Sequence, residues 1–267
     1  MQNVKCKIKN IKLTIEYDGT NYSGWQIQKN SERSIQKILL ECIFKITGEK
    51  VKLISSGRTD RGVHALRQVA NFKTESRMDG SIWKNALTAS LPRDIRVIES
   101  EEVEPDFHSR YDAKSRIYSY IILNQESPSV FLRNYVYHIF FPLDLEDMKR
   151  ASLTLLGEHD FSSFRASSCG ANRPVRRIID LSVDRAKMAL IPWIPVCRGE
   201  VMSFITITIE ANAFLHHMAR NIVGTLIEVG KGRFSPERME EILKAKDRTQ
   251  AGPTAPPHGL FLVRVKY

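Results

Sequence analysis

Residues 11–17, IKLTIEY, alternate apolar and polar with the two-residue period of a half-buried strand, and they run into the turn-prone DGTNYSG. Ser34 follows as a candidate cap for a helix in which Ile35, Ile38, Leu39, Cys42 and Ile43 fall on one face, and Gly48 ends it. VKLISS (51–56) and LRQVANF (66–72) read as strands on either side of a loop. A short helix over 81–90 stops before Pro92, whose ring pushes the preceding residue toward extended geometry. In the second half RIYSYIIL (116–123), VRRIIDLSVDR (175–185) and FITITIE (204–210) have strand character, and LEDMKRASLTLLG (145–157) is a helix ended by its glycine. Residues 211–230 read as one long helix with Phe214, Met218, Ile222 and Leu226 along one side. His217, Arg220 and Gly224 then share a face turned away from Met218 and Ile222. Ser235 as N-cap and Pro236 at the first position open a last helix.

This order of elements predicts an α+β protein: two similar α+β halves with mostly antiparallel sheets. No Gly/Ser-rich linker separates them, so the boundary is placed in the polar stretch EPDFHSRYDAKSR, giving 1–108 and 109–267. MALIPWIPVC (188–197), interrupted by Pro192 and Pro195, has about half the length a membrane crossing requires and reads as a packed elaboration of a hairpin. Cys6, Cys42, Cys169 and Cys197 form no C-x-x-C pair, so neither a zinc knuckle nor a disulfide framework is expected. The opening MQNVKCKIKN is too polar for a secretory signal, and a cytoplasmic protein is expected. A formal charge of +10 points to a polyanionic partner, with nucleic acid the leading candidate.

The candidate chemistry starts at GRTDRGVHA (57–65), where Asp60 stands between Arg58 and Arg61 in a glycine-bounded loop joining two predicted strands. Such a loop lets a rigid sheet hold a reactive side chain at the rim of a cleft. Taken alone, R-x-D-R describes a solvated surface turn better than a reactive site. In R-I-Y-S-Y, Arg116, Tyr118 and Tyr120 share a strand face; an aromatic there is either a stacking platform for a base or a packing residue. Arg165, Arg173, Arg176 and Arg177 are the densest basic stretch and, with Ser167 and Asn172, suit phosphate and ribose contact or form a solvated hairpin. His216 and His217 are adjacent, but the sequence shows no third ligand, so no metal is expected. There is no G-x-G-x-x-G, the loop a nucleotide-dependent methyltransferase would need.

The full string GRTDRGVHA closely resembles the active-site motif of the tRNA pseudouridine synthase A family. EYDGTNYSGWQIQ (16–28), with Trp25 where phenylalanine is expected, FHSRYDAKSRIYSY (107–120), GEHDFSSFRASSC (157–169), FLHHMARNIVGTLIEVGKG (214–232) and AGPTAPPHGLFLVRVKY (251–267) resemble further segments in the family's order. The resemblance implies the pseudouridine synthase fold, with the two halves joined around a central RNA-binding cleft. It makes Asp60 the catalytic aspartate, with Tyr118 and Arg220 beside it, and implies a homodimer, a tRNA substrate modified in the anticodon stem-loop, no cofactor and no membrane. In this setting Arg58 is placed to hold the backbone around an extruded nucleotide, and His64 to support the substrate site through a hydrogen bond.

Turning uridine into pseudouridine breaks the N1–C1′ bond, rotates the uracil and rejoins it through C5. That needs no redox step or phosphate donor, and an ionised carboxylate suffices, either as nucleophile or as base at the ribose. A stacked uridine must first be swung out, at a cost of a few kcal/mol that phosphate contacts have to offset. The rival reading is a non-catalytic tRNA-binding protein or chaperone on the same scaffold. It predicts erosion at Asp60, Tyr118 or Arg220, and all three are present.

Overall fold

A computed structural model describes residues 8–28, 33–167, 169–189 and 201–267. They divide into two compact units: the described residues up to Lys114 together with Leu262–Tyr267, and Ser115–Phe261. No helix among the described residues is long and apolar enough to cross a membrane.

The first unit runs β1 (Lys9–Tyr17), α1 (Ile35–Thr47), β2 (Ile54–Ser55), β3 (His64–Thr74), α2 (Trp83–Ser90) and β4 (Ile95–Val103). β1 is central, antiparallel to β3 on one side and β4 on the other, and β2 adds to β3. Alternation works as read: Ile11, Leu13 and Ile15 are fully buried. The expected caps of α1 are in place. The Ser34 hydroxyl accepts the Lys37 N–H, and Gly48 takes the left-handed conformation at φ 74°. Trp83 meets Phe72 of β3 edge-on at 5.0 Å and so docks α2 on the sheet.

Of the run 51–56, only Ile54–Ser55 is strand, paired with β3; just beyond, the Ser56 N–H still donates to the Val69 carbonyl, and the Gly57 carbonyl accepts from the Gln68 side chain. β4 was not foreseen as a strand. Its ladder with β1 gives the extended chain after Pro92 its hydrogen bonds.

The second unit runs β5 (Ser115–Asn124), β6 (Tyr137–Ile139), α3 (Leu145–Leu153), β7 (Gly157–Asp160), β8 (Val175–Ala189), β9 (Val201–Ala211), α4 (Met218–Gly230) and α5 (Arg238–Ala245). β5, β9, β8 and β7 follow one another as antiparallel neighbours, and β6 pairs with β5 in parallel. α3 packs against α4, α5 and β8.

Three helix expectations need correction. α3 ends at Leu153, and Gly157, at φ 94°, starts β7 instead of capping a helix. The helix expected over 211–230 begins only at Met218, after His217 at φ 63°. The Asn212 side chain accepts the N–H groups of Arg177 and Ala213, which ties the chain after β9 to β8 and not into a helix. Ser235 and Pro236 form an i→i+3 turn, their carbonyls accepting from Arg238 and Met239, and α5 starts after it with no side-chain cap. β6 and β7, three and four residues long, are too short to show a period. The MALIPWIPVC segment lies outside the described residues except for Met188 and Ala189, which pair with Met202 and Val201 at the end of the β8–β9 ladder.

The last strand, β10 (Leu260–Lys266), lies beside β3. Its end is fastened within the first unit. The Lys114 N–H donates to the Lys266 carbonyl at 2.8 Å, the Tyr267 hydroxyl donates to the Ser109 carbonyl at 2.8 Å, and the Tyr267 ring lies 5.1 Å from that of Phe107. Ser109 is itself fully buried, its N–H bonded to Asn71 and its hydroxyl to the Ile54 carbonyl.

Candidate active site

In the first unit, Arg58 and Asp60 lie on the loop between β2 and β3, and His64 opens β3 directly after it. Asp60 is half-buried, and Arg58 and Arg61 are exposed. The loop backbone is tightly held. The Thr59 carbonyl accepts the Trp25 N–H at 3.0 Å, and the Asp60 carbonyl accepts the Val63 N–H at 3.2 Å, closing a turn completed by Gly62 at φ 77°. Gly24, at φ 99°, lies so close that a Cβ there would stand 2.6 Å from the Thr59 oxygen. Only glycine permits both that backbone angle and that approach.

His64 is 2% exposed. Its Nδ1 lies 3.1 Å from the Gly19 N–H and 3.1 Å from the Asp18 carboxylate. One ring nitrogen serves one of these at a time, as acceptor when bare and as donor when protonated. His64 therefore ties the loop's far end to the turn after β1, in keeping with a supporting role. Trp25 is fully buried with its ring 6.1 Å from that of Tyr17, and its indole N–H has no hydrogen-bond partner among the described residues.

In the second unit, Tyr118 is 8% exposed on β5 and meets Phe214 edge-on at 4.9 Å. Tyr120 is fully buried, and its hydroxyl donates to the Pro256 carbonyl at 2.9 Å; burial holds that phenol well above its usual range. Tyr120 thus serves packing. Arg220 lies in the first turn of α4. Its Nε donates to the Ala255 carbonyl at 2.7 Å, and its own carbonyl accepts the Ala255 N–H at 3.1 Å. A guanidinium anchored through Nε is fixed in plane and direction.

The expected open face of α4 is corrected here. Every residue from Asn221 to Gly230 is buried, and Gly224 is pressed against the Pro253 backbone. Arg220 is the half-exposed residue of the helix.

The segment that covers α4 carries a polar network absent from the sequence reading. The Arg248 guanidinium donates to Asn221 Oδ1, Thr254 Oγ1 and the Ala251 carbonyl, and burial lowers its pKa from the ordinary guanidinium value. Asn221 reaches the Phe164 carbonyl, and the Gly252 N–H donates to Thr225. Asn221, Arg248, Ala251, Gly252 and Thr254, with Ser167 and His217, line a pocket of about 440 Å³.

The four arginines of the basic stretch differ in use. Arg173 and Arg177 are exposed. Arg165 is half-buried and reaches the Ala171 carbonyl at 3.5 Å. Arg176 folds back onto the carbonyls of Arg173 and Val175, its Nε buried without a partner among the described residues, and burial lowers its pKa. Replacing Arg173 and Arg177 by Ala is therefore expected to weaken RNA binding and reduce the slope of log K against log salt by about 1–2. Arg176→Ala should change that slope less. Equal slopes for all variants would remove these side chains from the RNA interface.

A model of the tRNA pseudouridine synthase family matches residues 13–112 and 151–267. Over 260 residues the chain is 46% identical to a tRNA pseudouridine synthase A of Thermoanaerobacter sp. (strain X514) and 47% identical to one of Caldicellulosiruptor saccharolyticus, in each case covering 97% of this chain and 100% of the relative. A tRNA pseudouridine synthase A of Ehrlichia chaffeensis is 43% identical over 257 residues. The chain belongs to the tRNA pseudouridine synthase family. Both matched stretches of the family model carry candidate residues, Asp60 in the first and Arg220 in the second, whereas Tyr118 falls in the interval between them. What the sequence left unseen around the family motif is its support: Tyr17, Gly24 and Gln68 have no chemical signature of their own.

Proposed function

We propose that this chain isomerises uridine to pseudouridine in tRNA, acting on a uridine of the anticodon stem-loop swung out of its stack. Asp60 supplies the carboxylate that attacks or deprotonates the ribose, Arg220 a positive charge of the catalytic site, and Tyr118 the aromatic surface and phenol for the turning uracil. Arg58 holds the strand around the vacated position, His64 keeps the loop in shape, and Arg165, Arg173, Arg176 and Arg177 belong to the tRNA-binding surface.

The observation that carries this reading is the near end-to-end match to tRNA pseudouridine synthases, with a half-buried aspartate at the centre of a loop whose backbone is locked from both sides. Such a loop suits chemistry, because reacting groups must be held before the substrate arrives. A chaperone would need the basic surface alone. We infer further that the protein works in the cytoplasm as a homodimer.

Incubating unmodified tRNA with the purified protein and no additive is expected to place pseudouridine in the anticodon stem-loop. Light scattering on the same preparation should give the mass of two chains. Tight tRNA binding with no pseudouridine formed would favour the chaperone reading.

A further inference from the structure

Tyr17 closes β1, where the ladder pairs it with Ala65 on one side and Ile95 on the other. It is 3% exposed, and its hydroxyl lies 2.7 Å from Oγ1 of Thr59, which is 6% exposed and immediately precedes Asp60. Burial pushes the Tyr17 phenol up to about 12, against the hydrogen bonds of Thr59 and Gln68, so it remains a neutral hydroxyl across the physiological range. Gln68 is fully buried on β3. It donates through Nε2 to the Gly57 carbonyl at 2.9 Å and accepts the Ser56 hydroxyl at 2.7 Å.

The carbonyls of Gly57 and Thr59 are thus fixed by Gln68 and by the Trp25 N–H, while the side chain of Thr59 is fixed by Tyr17. Without that phenol the Thr59 side chain loses its anchor, and the peptide that leads into Asp60 is no longer held from this side.

We propose that Tyr17 is a positioning residue for the isomerisation: through the Thr59 side chain, its hydroxyl sets the direction in which Asp60 leaves the backbone. This rests on Asp60 being the reacting carboxylate. A displacement of about 1 Å at a reacting group costs roughly 10²-fold in rate. Tyr17 stands on a rigid strand and does not itself touch substrate.

Tyr17→Phe is expected to lower the single-turnover rate of pseudouridine formation about 10-fold or more, while the Kd for tRNA stays within about threefold. Thr59→Val should reproduce the loss, and Thr59→Ser, which keeps the hydroxyl, should recover most of it. The double variant Tyr17→Phe/Thr59→Val leaves no buried hydroxyl unpaired, so it is expected to regain the thermal stability lost in Tyr17→Phe but not the rate. If rate instead returns with stability in the double variant, Tyr17 is only structural and the proposal fails. It also fails if Tyr17→Phe keeps its rate while Asp60→Ala is inactive, an outcome that leaves the role of Asp60 intact. An active Asp60→Ala would overturn both.

Discussion

Asp60→Ala is expected to abolish pseudouridine formation while tRNA binding survives within about tenfold. The loop should outlast the loss of the carboxylate, because its fastenings are elsewhere: the Thr59 carbonyl on Trp25, the Asp60 carbonyl on Val63, the Thr59 hydroxyl on Tyr17 and the Gly57 carbonyl on Gln68. None of these uses the side chain of residue 60. Enzymes supply accelerations of roughly 10⁶-fold or more, so deleting the group that reacts should cost at least about 10³-fold. The check is to quantify pseudouridine per bound tRNA alongside a filter-binding isotherm. Weakened binding with undiminished turnover of bound tRNA would assign Asp60 to recognition instead of chemistry.

The second large effect is expected at Gly224→Ala. A Cβ there would lie 1.7 Å from the Pro253 oxygen and 2.9 Å from its carbonyl carbon, both backbone atoms that cannot rotate away. The covering segment is held to α4 by Ala255 N–H on the Arg220 carbonyl, Gly252 N–H on Thr225 and the Thr254 hydroxyl on Asn221. The helix is buried on every side beyond its first turn, so neither partner yields cheaply. Alanine's better helix propensity, about 1 kcal/mol, is outweighed by displacement of packed backbone. A loss of about 3 kcal/mol or more is expected, read as a fall in Tm of roughly 6–12 °C. Because Ala255 also anchors Arg220, the fraction that stays folded should turn over more slowly. A variant melting with the unsubstituted protein would show that the segment moves freely.

Elements with a strong local signal were legible in the sequence. The capped helix from Ile35 to Thr47 and the alternating strands around Ile11–Ile15 and Ile205–Ile209 follow from periodicity and capping chemistry alone. The nine residues around Asp60 were legible as a motif. What supports them was not, because Tyr17 and Gln68 are ordinary strand residues whose partners depend on which chains lie beside them. Gly224 was misread for the same reason: in a helix buried all round, an absent side chain marks a close backbone approach as readily as an open face. Arg176 looked like one more surface charge and turns out to bind its own chain. The strand Leu260–Lys266 is absent from the sequence reading, and nothing local says that its neighbour is β3, far away in the sequence.

That late strand orders events at the ribosome. The unit carrying Asp60 lacks its closing segment until the whole of Ser115–Phe261 has been translated, on the order of ten seconds at roughly 5–20 residues per second. During that interval the edge of β3 that β10 will occupy has only the short β2 beside it. A chain interrupted before Leu260 would therefore leave that edge of β3 open in the half of the molecule made earliest.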